Sequence, residues 1–321
     1  VTSGSALLNL YPAVCEAYYQ KVPIIVISAD RPEAWIGQQD GQTLPQANVF
    51  GTMVNRSVNL PIISNEEQAW YCERLVHEAI IDCVHRKIGP VHINIQLSEP
   101  LYQFTLDRLP KIHWVDYVKS NLFGGSFHYG DMLDFLNARK PMIVVGQDYP
   151  CSQLVGIKQI NWRTVTLIEP TALGKSSEDP ACRDFSRNLL VTNFDEVLNK
   201  VGDDEDYMPD FILYVGGTLV SKRLKQFLRL AVKKGAKVWR ASTDGDYIDT
   251  FMRINRIFQC DTTLLADAMT SYDLAYQDDV NAYRERWEKA LLAAKRHAFD
   301  YEPPFSSMAA VKAFQTEYLA H

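Results

Sequence analysis

The sequence predicts an α/β fold with two doubly wound, mainly parallel sheets, of which the first is incomplete. Two observations predict it. Short apolar runs such as Pro23–Ala29 and Val91–Ile95 alternate with longer segments in which apolar residues recur at helical spacing. Turn residues such as Gly89-Pro90 separate the two kinds of segment. This alternation favours parallel strands, because a crossover between parallel neighbours usually takes a helix.

The first series contains two helices and two strands. Apolar residues at helical spacing begin at Leu7 and predict a helix that leads into the strand Pro23–Ala29. Asn65 can cap a second helix, whose acidic first turn, Glu66-Glu67, suits the helix dipole. The strand Val91–Ile95 follows that helix.

A less regular segment, from about Leu106 to Tyr129, separates this series from a second one. The second series has five short apolar strands: Met142–Gly146, Thr164–Ile168, Phe211–Val215, Lys237–Ala241 and Arg256–Cys260. They predict an open parallel sheet of Rossmann-like type. No GxGxxG sequence follows the first of these strands, so dinucleotide binding is not predicted.

The end of the sequence contains two more predicted helices. A charged helix, Asp278–His297, is followed by Pro303-Pro304, and Ser306 then caps a last helix, Met308–Leu319. This lone helix has no predicted sheet on which to pack. Because the chain also starts without an initiator methionine, we expect both of its ends to be truncated.

Composition and charge exclude several classes of function. The formal net charge is -6, so no overall positive field attracts nucleic acid, and nucleic acid is not an expected partner. No apolar stretch approaches the ~20 residues of a membrane span. The six cysteines are scattered without a CxxC pair, which favours reduced thiols and a cytoplasmic location.

Several patterns that suggest metal or acid–base chemistry fail on spacing. His85 follows His77 by eight residues and not four, so the pair does not form a zinc motif, and no metal ligands are predicted. The acidic run Asp203–Asp206 lacks the spacing of a calcium loop, and we interpret it as a hydrated loop. We predict His92 to be a packed strand residue and not an acid or a base.

Arg31 is the first candidate ligand-binding residue. It follows Ala29-Asp30 at the end of a predicted buried strand, where open α/β sheets bind ligands. A guanidinium group in that place suits a carboxylate, because it can donate two parallel hydrogen bonds. The other interpretation is a turn in which Arg31 pairs with Asp30 or meets solvent, and the spacing alone leaves both open.

A set of motifs then resembles one enzyme family. In chain order they are Thr2–Ala13 (TSGSALLNLYPA), Ala29–Pro32 (ADRP), Gln42–Gln46 (QTLPQ), Gly89–Asn94 (GPVHIN), Gly216–Leu219 (GGTL) and Lys222–Leu224 (KRL). Together they resemble the 2-succinyl-5-enolpyruvyl-6-hydroxy-3-cyclohexene-1-carboxylate synthases, which are thiamine-diphosphate-dependent enzymes of menaquinone biosynthesis. The last helix, Phe305–Tyr318, resembles the opening of that family's diphosphate-binding domain.

The resemblance implies a division into domains of thiamine-diphosphate-enzyme type. Residues 1–106 would be the C-terminal part of the pyrimidine-binding domain, and residues 107–275 the central Rossmann-like domain. Residues 276–304 would form a helical linker, and residues 305–321 the first helix of a truncated diphosphate-binding domain.

The resemblance also implies a reaction. The family decarboxylates 2-oxoglutarate and adds the resulting carbanion to isochorismate, with thiamine diphosphate and Mg²⁺ or Mn²⁺ as cofactors in the full-length parent, which is a homo-oligomer. Both substrates are dicarboxylates. The residues that it implies for substrate binding are Arg31, Gln42, Lys222 and Arg223, and those that it implies for cofactor binding are Thr2, Ser3 and Gly4.

Two points qualify these implications. Relatives often carry a glycine and an asparagine before the amide, whereas this chain has Gln39-Asp40-Gly41-Gln42, which puts the contact of that asparagine in doubt. The pair Lys222-Arg223 can also be read as the solvated first turn of a helix over Ser221–Lys234.

The resemblance implies that catalytic parts are missing. In the family, the glutamate that activates the cofactor lies upstream of Thr2, and the metal motif lies downstream of His321. We therefore expect no catalytic residue in this chain, no bound cofactor and no turnover by the chain alone. Two alternatives stay open: another thiamine-diphosphate enzyme of the acetohydroxyacid synthase or pyruvate oxidase type, and a non-catalytic α/β module that binds metabolites.

Overall fold

The computed structural model describes most of the chain, namely residues 1–98, 108, 113–120, 127–147, 149, 156–157, 159–160, 162–172, 190–191, 193–272 and 278–318. These residues form two compact units. The first unit is Val1–Tyr117 with Asp246–Ile257, and the second is Val118–Gly245 with Phe258–His321. The predicted domain boundaries at 106/107 and 275/276 lie outside the described residues, and the assignment of domains stays a prediction.

The fold is α/β, as predicted. The described strands are β1 (Ile25–Asp30), β2 (Arg56–Leu60), β3 (Val91–Gln96), β4 (Asp116–Lys119), β5 (Pro141–Val145), β6 (Val165–Ile168), β7 (Leu190–Val191), β8 (Phe211–Val215), β9 (Lys237–Ser242) and β10 (Arg256–Gln259). The described helices are α1 (Tyr11–Gln20), α2 (Glu66–Ile81), α3 (Tyr129–Leu136), α4 (Phe194–Val201), α5 (Lys222–Lys233), α6 (Thr262–Thr270), α7 (Asp278–Asp300) and α8 (Ser307–Tyr318).

The sheet of the first unit has the strand order β1-β3-β2 in the described residues, and both pairings are parallel. Val91 lies opposite Ile25 on one side and Arg56 on the other. Helix α2 covers one face of this sheet, and its Leu75 and Ala79 join a buried apolar cluster with β2 and β3. The prediction located β1 and β3 but missed β2.

Helix α2 begins where the sequence predicts. The Asn65 side chain accepts a hydrogen bond of 2.9 Å from the Gln68 backbone N–H and thereby satisfies one of the free donors of the first turn. The acidic residues Glu66 and Glu67 lie in that turn, next to the positive end of the helix dipole. The predicted cap and helix are confirmed.

The first predicted helix is divided. Residues Ser5–Leu10 form a 3₁₀ helix, and the α-helix begins only at Tyr11. Pro12 explains the break, because its ring nitrogen has no N–H to donate back to the preceding turn. Leu7 and Val14 from this segment are buried with Phe50 in a second apolar cluster of the first unit.

Most of the larger sheet belongs to the second unit, although only the last two residues of β4 and of β10 are assigned to it. The order of this sheet is β4-β10-β9-β8-β5-β6-β7 among the described strands. The described pairings of β5 with β6 and β8, of β6 with β7, and of β8 with β9 are parallel. All five predicted strands are confirmed to within one residue at each end. Their side chains pack into one apolar cluster with α3 and α6.

Chain order reverses between β5 and β8, where α/β sheets commonly bind ligands at the carboxyl ends of the strands. Two loops meet at this position. Gly146 donates a hydrogen bond of 2.8 Å to the Val215 carbonyl, and Gly217 donates one of 2.7 Å to the Gln147 carbonyl. The approach is so close that only glycine fits at position 146. Backbone therefore fills the place that a phosphate-binding turn occupies in dinucleotide-binding folds.

Other predictions concern single groups. Helix α7 buries Tyr283, Trp287 and Leu291 along one stripe, which confirms the predicted charged helix. The predicted end of the last helix, Leu319, lies outside the described residues.

Two of the six cysteines, Cys151 and Cys182, also lie outside the described residues. The cysteines that the structure describes are all free thiols: Cys15, Cys72, Cys83 and Cys260. No helix in the described ranges combines the length and the apolar character that a membrane crossing requires.

Candidate functional site

Arg31 lies directly after β1, at the carboxyl end of the first sheet. Its backbone N–H donates a hydrogen bond of 2.8 Å to the Asp30 carboxylate. Its side chain turns to a different acid: the Arg31 Nε atom is 3.6 Å from Asp40 Oδ2. The Arg31 side chain is 24% exposed and that of Asp40 is 38% exposed, so water screens this ion pair.

A cavity of about 370 Å³ opens beside this pair. The residues around it are Arg31, Pro32, Trp35, Asp40, Leu97 and Ser98. Trp35 is 57% exposed and Leu97 is 40% exposed, so both offer apolar surface next to the guanidinium group. A positive group beside an apolar wall suits an organic acid, because the positive group can bind the carboxylate and the wall can contact the carbon chain.

The loop of residues 36–48, which we call the site loop, closes one side of this cavity through Asp40. It contains residues in the left-handed backbone region: Gln39 at φ 61°, Gln42 at φ 57° and Asn48 at φ 56°. Each non-glycine residue in this region destabilises the folded state by roughly 1 kcal/mol, so the surrounding contacts must hold the loop in place. The Gln42 side chain is exposed.

Gly4 supplies one of those contacts. Its backbone has φ 86° and ψ −157°, a region open essentially to glycine alone. A Cβ atom at Gly4 would lie 3.2 Å from both the carbonyl carbon and oxygen of Gln42. The structure thus brings together two residues that the resemblance assigns to neighbouring roles. Thr2 is exposed and Ser3 is half-buried.

The cofactor assignment of Thr2, Ser3 and Gly4 stays a prediction. The space that the missing side chain leaves at Gly4 is filled by the backbone of Gln42, so a cofactor ring does not fit against that side of the glycine. Within the described ranges, no three His, Cys, Asp or Glu side chains come together to hold a metal ion.

Gln46 joins the site loop to the sheet. Its buried amide accepts a hydrogen bond of 2.7 Å from the Gly4 N–H. The same amide donates bonds of 2.9 Å to the Ala29 carbonyl and to Asn94 Oδ1. Every polar atom of this side chain is used, so Gln46 fixes the start of the chain, β1 and β3 in one arrangement.

Asn94 lies at the centre of a buried polar layer on one face of the first sheet. The members of this polar layer are Ser28, Asp30, Ser57, Asn59, His92 and Asn94. The Asn94 amide donates bonds of 2.7 Å to Asp30 and 2.8 Å to Asn59, and its oxygen accepts one of 2.7 Å from Ser28. Three strands are thereby joined by side chains as well as by backbone.

His92 is a structural member of this layer, as predicted. It is fully buried, and its Nε2 and Nδ1 atoms lie 2.7 Å from Ser28 Oγ and 3.2 Å from Ser57 Oγ. Because Ser28 donates to Asn94, its oxygen is free to accept from Nε2–H, which leaves Nδ1 to accept from Ser57. Burial lowers the pKa of His92 to about 4, so the ring is neutral at pH 7.

Lys222 and Arg223 belong to the second unit. Both are exposed in the first turn of α5. Ser221 caps this helix by accepting a bond of 2.9 Å from the Leu224 N–H, and the Arg223 guanidinium donates one of 3.0 Å to the Asp195 carbonyl. These contacts are in keeping with a solvated first turn, and the substrate role of the pair stays a prediction.

A second cavity of the first unit, of about 410 Å³, is lined by charged groups of both signs. Arg56 pairs with Asp82 at 2.7 Å and with Glu78 at 2.9 Å, and Arg86 pairs with Asp246 at 2.6 Å. With Arg74, which pairs with Glu78 at 3.2 Å, three positive groups face three negative ones, so this cluster offers no net charge to a ligand. The pair of Arg86 and Asp246 fastens the segment Asp246–Ile257 within the unit.

Sequence reasoning found the arginine but missed the residues that shape its surroundings. Asp40 was noted only as a departure from the family pattern, although its negative charge nine positions after a candidate carboxylate-binding arginine could have indicated a competing ion pair. Trp35 and Gln46 carried no such signal, because the contacts of each depend on the path of the site loop.

Comparisons with known proteins bear on the whole chain. No family model matches it. A 2-succinyl-5-enolpyruvyl-6-hydroxy-3-cyclohexene-1-carboxylate synthase of Bacteroides thetaiotaomicron is 37% identical over 331 residues, which cover 100% of this chain and 56% of that protein. A synthase of the same name from Phocaeicola vulgatus is 38% identical over 299 residues, covering 86% of this chain and 50% of the relative.

The chain spans about half the length of the curated relatives that it matches. The first of these alignments includes both compact units and not only the segments that carry the quoted motifs. The resemblance stated from the motifs is thus confirmed: the relatives that the chain matches are 2-succinyl-5-enolpyruvyl-6-hydroxy-3-cyclohexene-1-carboxylate synthases by name.

Proposed function

We propose that this chain contributes a carboxylate-binding part of the substrate pocket of a synthase that condenses decarboxylated 2-oxoglutarate with isochorismate. The observation that carries the proposal is Arg31 at the carboxyl end of β1, beside a cavity with one apolar wall. Both proposed substrates are dicarboxylates, and a guanidinium group is the side chain best suited to hold a carboxylate by two parallel bonds.

The roles of the chain's own residues follow from their positions. Arg31 would donate hydrogen bonds to a substrate carboxylate, and Trp35 and Leu97 would cover the adjoining carbon chain and exclude water from it. Gln46 would keep the site loop in place during binding. Thiamine diphosphate would supply the carbanion chemistry in the complete synthase. In the second unit, Lys222 and Arg223 are further candidates for substrate carboxylates.

Binding of 2-oxoglutarate to the 321-residue chain, measured by isothermal titration calorimetry, tests the role of Arg31. We expect Arg31→Ala to weaken binding by about 1.5 to 3 kcal/mol, or roughly 10- to 150-fold, because a charged hydrogen-bond donor is lost. Arg31→Lys should recover part of the affinity, since it keeps the charge and loses the planar fork.

Arg139→Ala is the matched control, because Arg139 is an arginine of the second unit whose side chain is 73% exposed. It should bind 2-oxoglutarate as the unchanged chain does. Equal affinity of the unchanged chain and Arg31→Ala would remove Arg31 from the site and contradict the proposed function.

We further propose that the chain binds but does not turn over. The prediction is that a mixture with thiamine diphosphate, Mg²⁺, 2-oxoglutarate and isochorismate yields no condensation product, as followed by chromatography. Product at an enzyme-like rate would show that the catalytic parts need not come from outside these residues, and would refute this part of the proposal.

A further inference from the structure

Asp40 is held in a fixed position at the edge of the Arg31 cavity. Its Oδ1 atom accepts a hydrogen bond of 2.9 Å from the Gly41 N–H, and its backbone carbonyl accepts one of 2.9 Å from the Thr43 hydroxyl. These two local bonds orient the residue and leave Oδ2 to face Arg31 Nε at 3.6 Å. The loop therefore presents a carboxylate to the same arginine that a ligand carboxylate would need.

This internal ion pair is weaker than the contact that a ligand could make. One Oδ2 atom approaches one nitrogen at 3.6 Å, which is longer than a charged hydrogen bond of 2.7–2.9 Å. Both side chains are also partly open to water, so the pair contributes little to stability. A free carboxylate that forms two short bonds to the guanidinium group would displace it.

Asp40 also places a negative charge where the rest of the ligand must lie. It lines the cavity together with Trp35 and Leu97, which carry no charge. Repulsion between like charges falls with their separation. A dicarboxylate bound to Arg31 through one end is therefore disfavoured when its other carboxylate is near, and tolerated when a longer chain holds that carboxylate away from Asp40.

We infer that Asp40 is a specificity-determining residue of this site: it competes with the ligand for Arg31, and it selects carboxylates whose second negative charge is distant. The inference rests on the proposed function, because it requires Arg31 to bind the ligand carboxylate.

The test compares three dicarboxylates of increasing chain length, malonate, succinate and glutarate, by isothermal titration calorimetry with the 321-residue chain at low salt. We expect Asp40→Asn to bind each acid about two- to fivefold more tightly, because it removes a competing charge and retains an oxygen for Gly41. The gain should be largest for malonate and smallest for glutarate. At 0.5 M NaCl the gain should shrink towards none, since salt screens the charge.

Three further variants make the result specific. Asp203→Asn removes an exposed acid of the second unit and should leave all three affinities unchanged. In the Arg31→Ala background, Asp40→Asn should lose the part of the affinity gain that comes from competition for Arg31, because that arginine is absent. Asp40→Ser, which also keeps an oxygen for Gly41, should reproduce the gain and serves if the asparagine variant does not fold.

The outcomes separate the inference from the proposed function. If Arg31→Ala weakens binding while Asp40→Asn and Asp40→Ser leave it unchanged or weaken it, Arg31 stays in the site and the role of Asp40 is overturned. If Arg31→Ala has no effect, the proposed function fails, and the inference fails with it. Absence of binding to the unchanged chain and to both Asp40 variants overturns both.

Discussion

One face of the first sheet is organised by polar contacts, whereas the second sheet is organised by apolar ones. In the first unit, the polar layer centred on Asn94 covers one face of β1, β2 and β3, and Gln46 completes its hydrogen bonds. In the second unit, β5 and β8 each bury five consecutive residues, and alternate residues of each strand belong to one apolar cluster. Both sheets are parallel, so the difference does not arise from topology.

The two sheets differ at the edge formed by the carboxyl ends of their parallel strands. In the first unit this edge is open, because Arg31 after β1 and Leu97 after β3 line a cavity. In the second unit the loops after β5 and β8 pair through backbone at Gly146 and Gly217 and close the edge. Side-chain hydrogen bonds hold the open edge in shape, whereas backbone hydrogen bonds and close backbone packing shape the closed one.

The largest expected effect is at the closed edge. A Cβ atom at position 146 would overlap the carbonyl oxygen of Gly217 and lie 2.9 Å from its carbonyl carbon. Because backbone would have to move, we expect Gly146→Ala to reduce the free energy of unfolding by roughly 4 kcal/mol. Hydrogen exchange by mass spectrometry, read on peptides that contain β5 and β8, measures the loss in the second unit alone.

Gly130→Ala is the control for this substitution. Gly130 lies in α3 with no atom within 4 Å of its missing Cβ, so alanine should be neutral or slightly stabilising there. Exchange in β5 and β8 that is equal for Gly146→Ala and for the unchanged chain would mean that the closed edge adapts readily, and the contrast between the two edges would then be wrong.

The next effect is at the open edge. Gln46→Leu removes the partners of the Gly4 N–H, the Ala29 carbonyl and one lone pair of Asn94, all in a buried place. We expect a loss of roughly 3 kcal/mol, because buried polar groups without partners cost about 1–3 kcal/mol each and some of them can relax. The loss should be seen as faster exchange in β1 and β3.

Gln38→Leu makes the same chemical change at an exposed position of the site loop and should leave exchange in β1 and β3 unchanged. If the two leucine variants behave alike, Gln46 does not join the loop to the sheet. A loss that spreads to β5 and β8 would show that the units do not unfold separately, and exchange could then not assign the effect to one edge.

Most of the fold could be predicted because apolar runs mark its strands. Strands such as β5 and β8 are continuous in apolar residues, and α2 carries a cap and an apolar stripe. The strand β2 was missed, since Arg56-Ser-Val-Asn-Leu60 has only two apolar residues, and Ser57 and Asn59 belong to the polar layer. A strand whose other face is half-buried and polar resembles a loop in a search for apolar patterns.

The candidate site could be predicted only in part, for a similar reason. The place of Arg31 in the site could be predicted because this residue directly follows a predicted strand. The approach of Asp40 to Arg31, and of Gln42 to Gly4, depends on a loop with left-handed residues at Gln39 and Gln42. At a position without glycine, the residue type does not indicate a left-handed backbone. These contacts therefore follow from the three-dimensional structure alone.

The smallest expected effect distinguishes the units by pH. His92 is buried in the first unit with its pKa lowered to about 4, whereas the described histidines of the second unit, His128 and His297, are exposed. A histidine of the unfolded chain has a pKa near 6.5, so between pH 6.5 and 4 the unfolded state binds more protons and the folded state loses stability as pH falls. We expect a loss of about 2 kcal/mol from His92 between pH 7 and pH 5, read by exchange in β3 after correction for intrinsic rates. Burial also lowers the pKa of His77 in the same unit, so the contribution of His92 is the difference in pH dependence between the unchanged chain and His92→Gln. An equal slope for the unchanged chain and His92→Gln would mean that the polar layer accepts a proton without loss of stability.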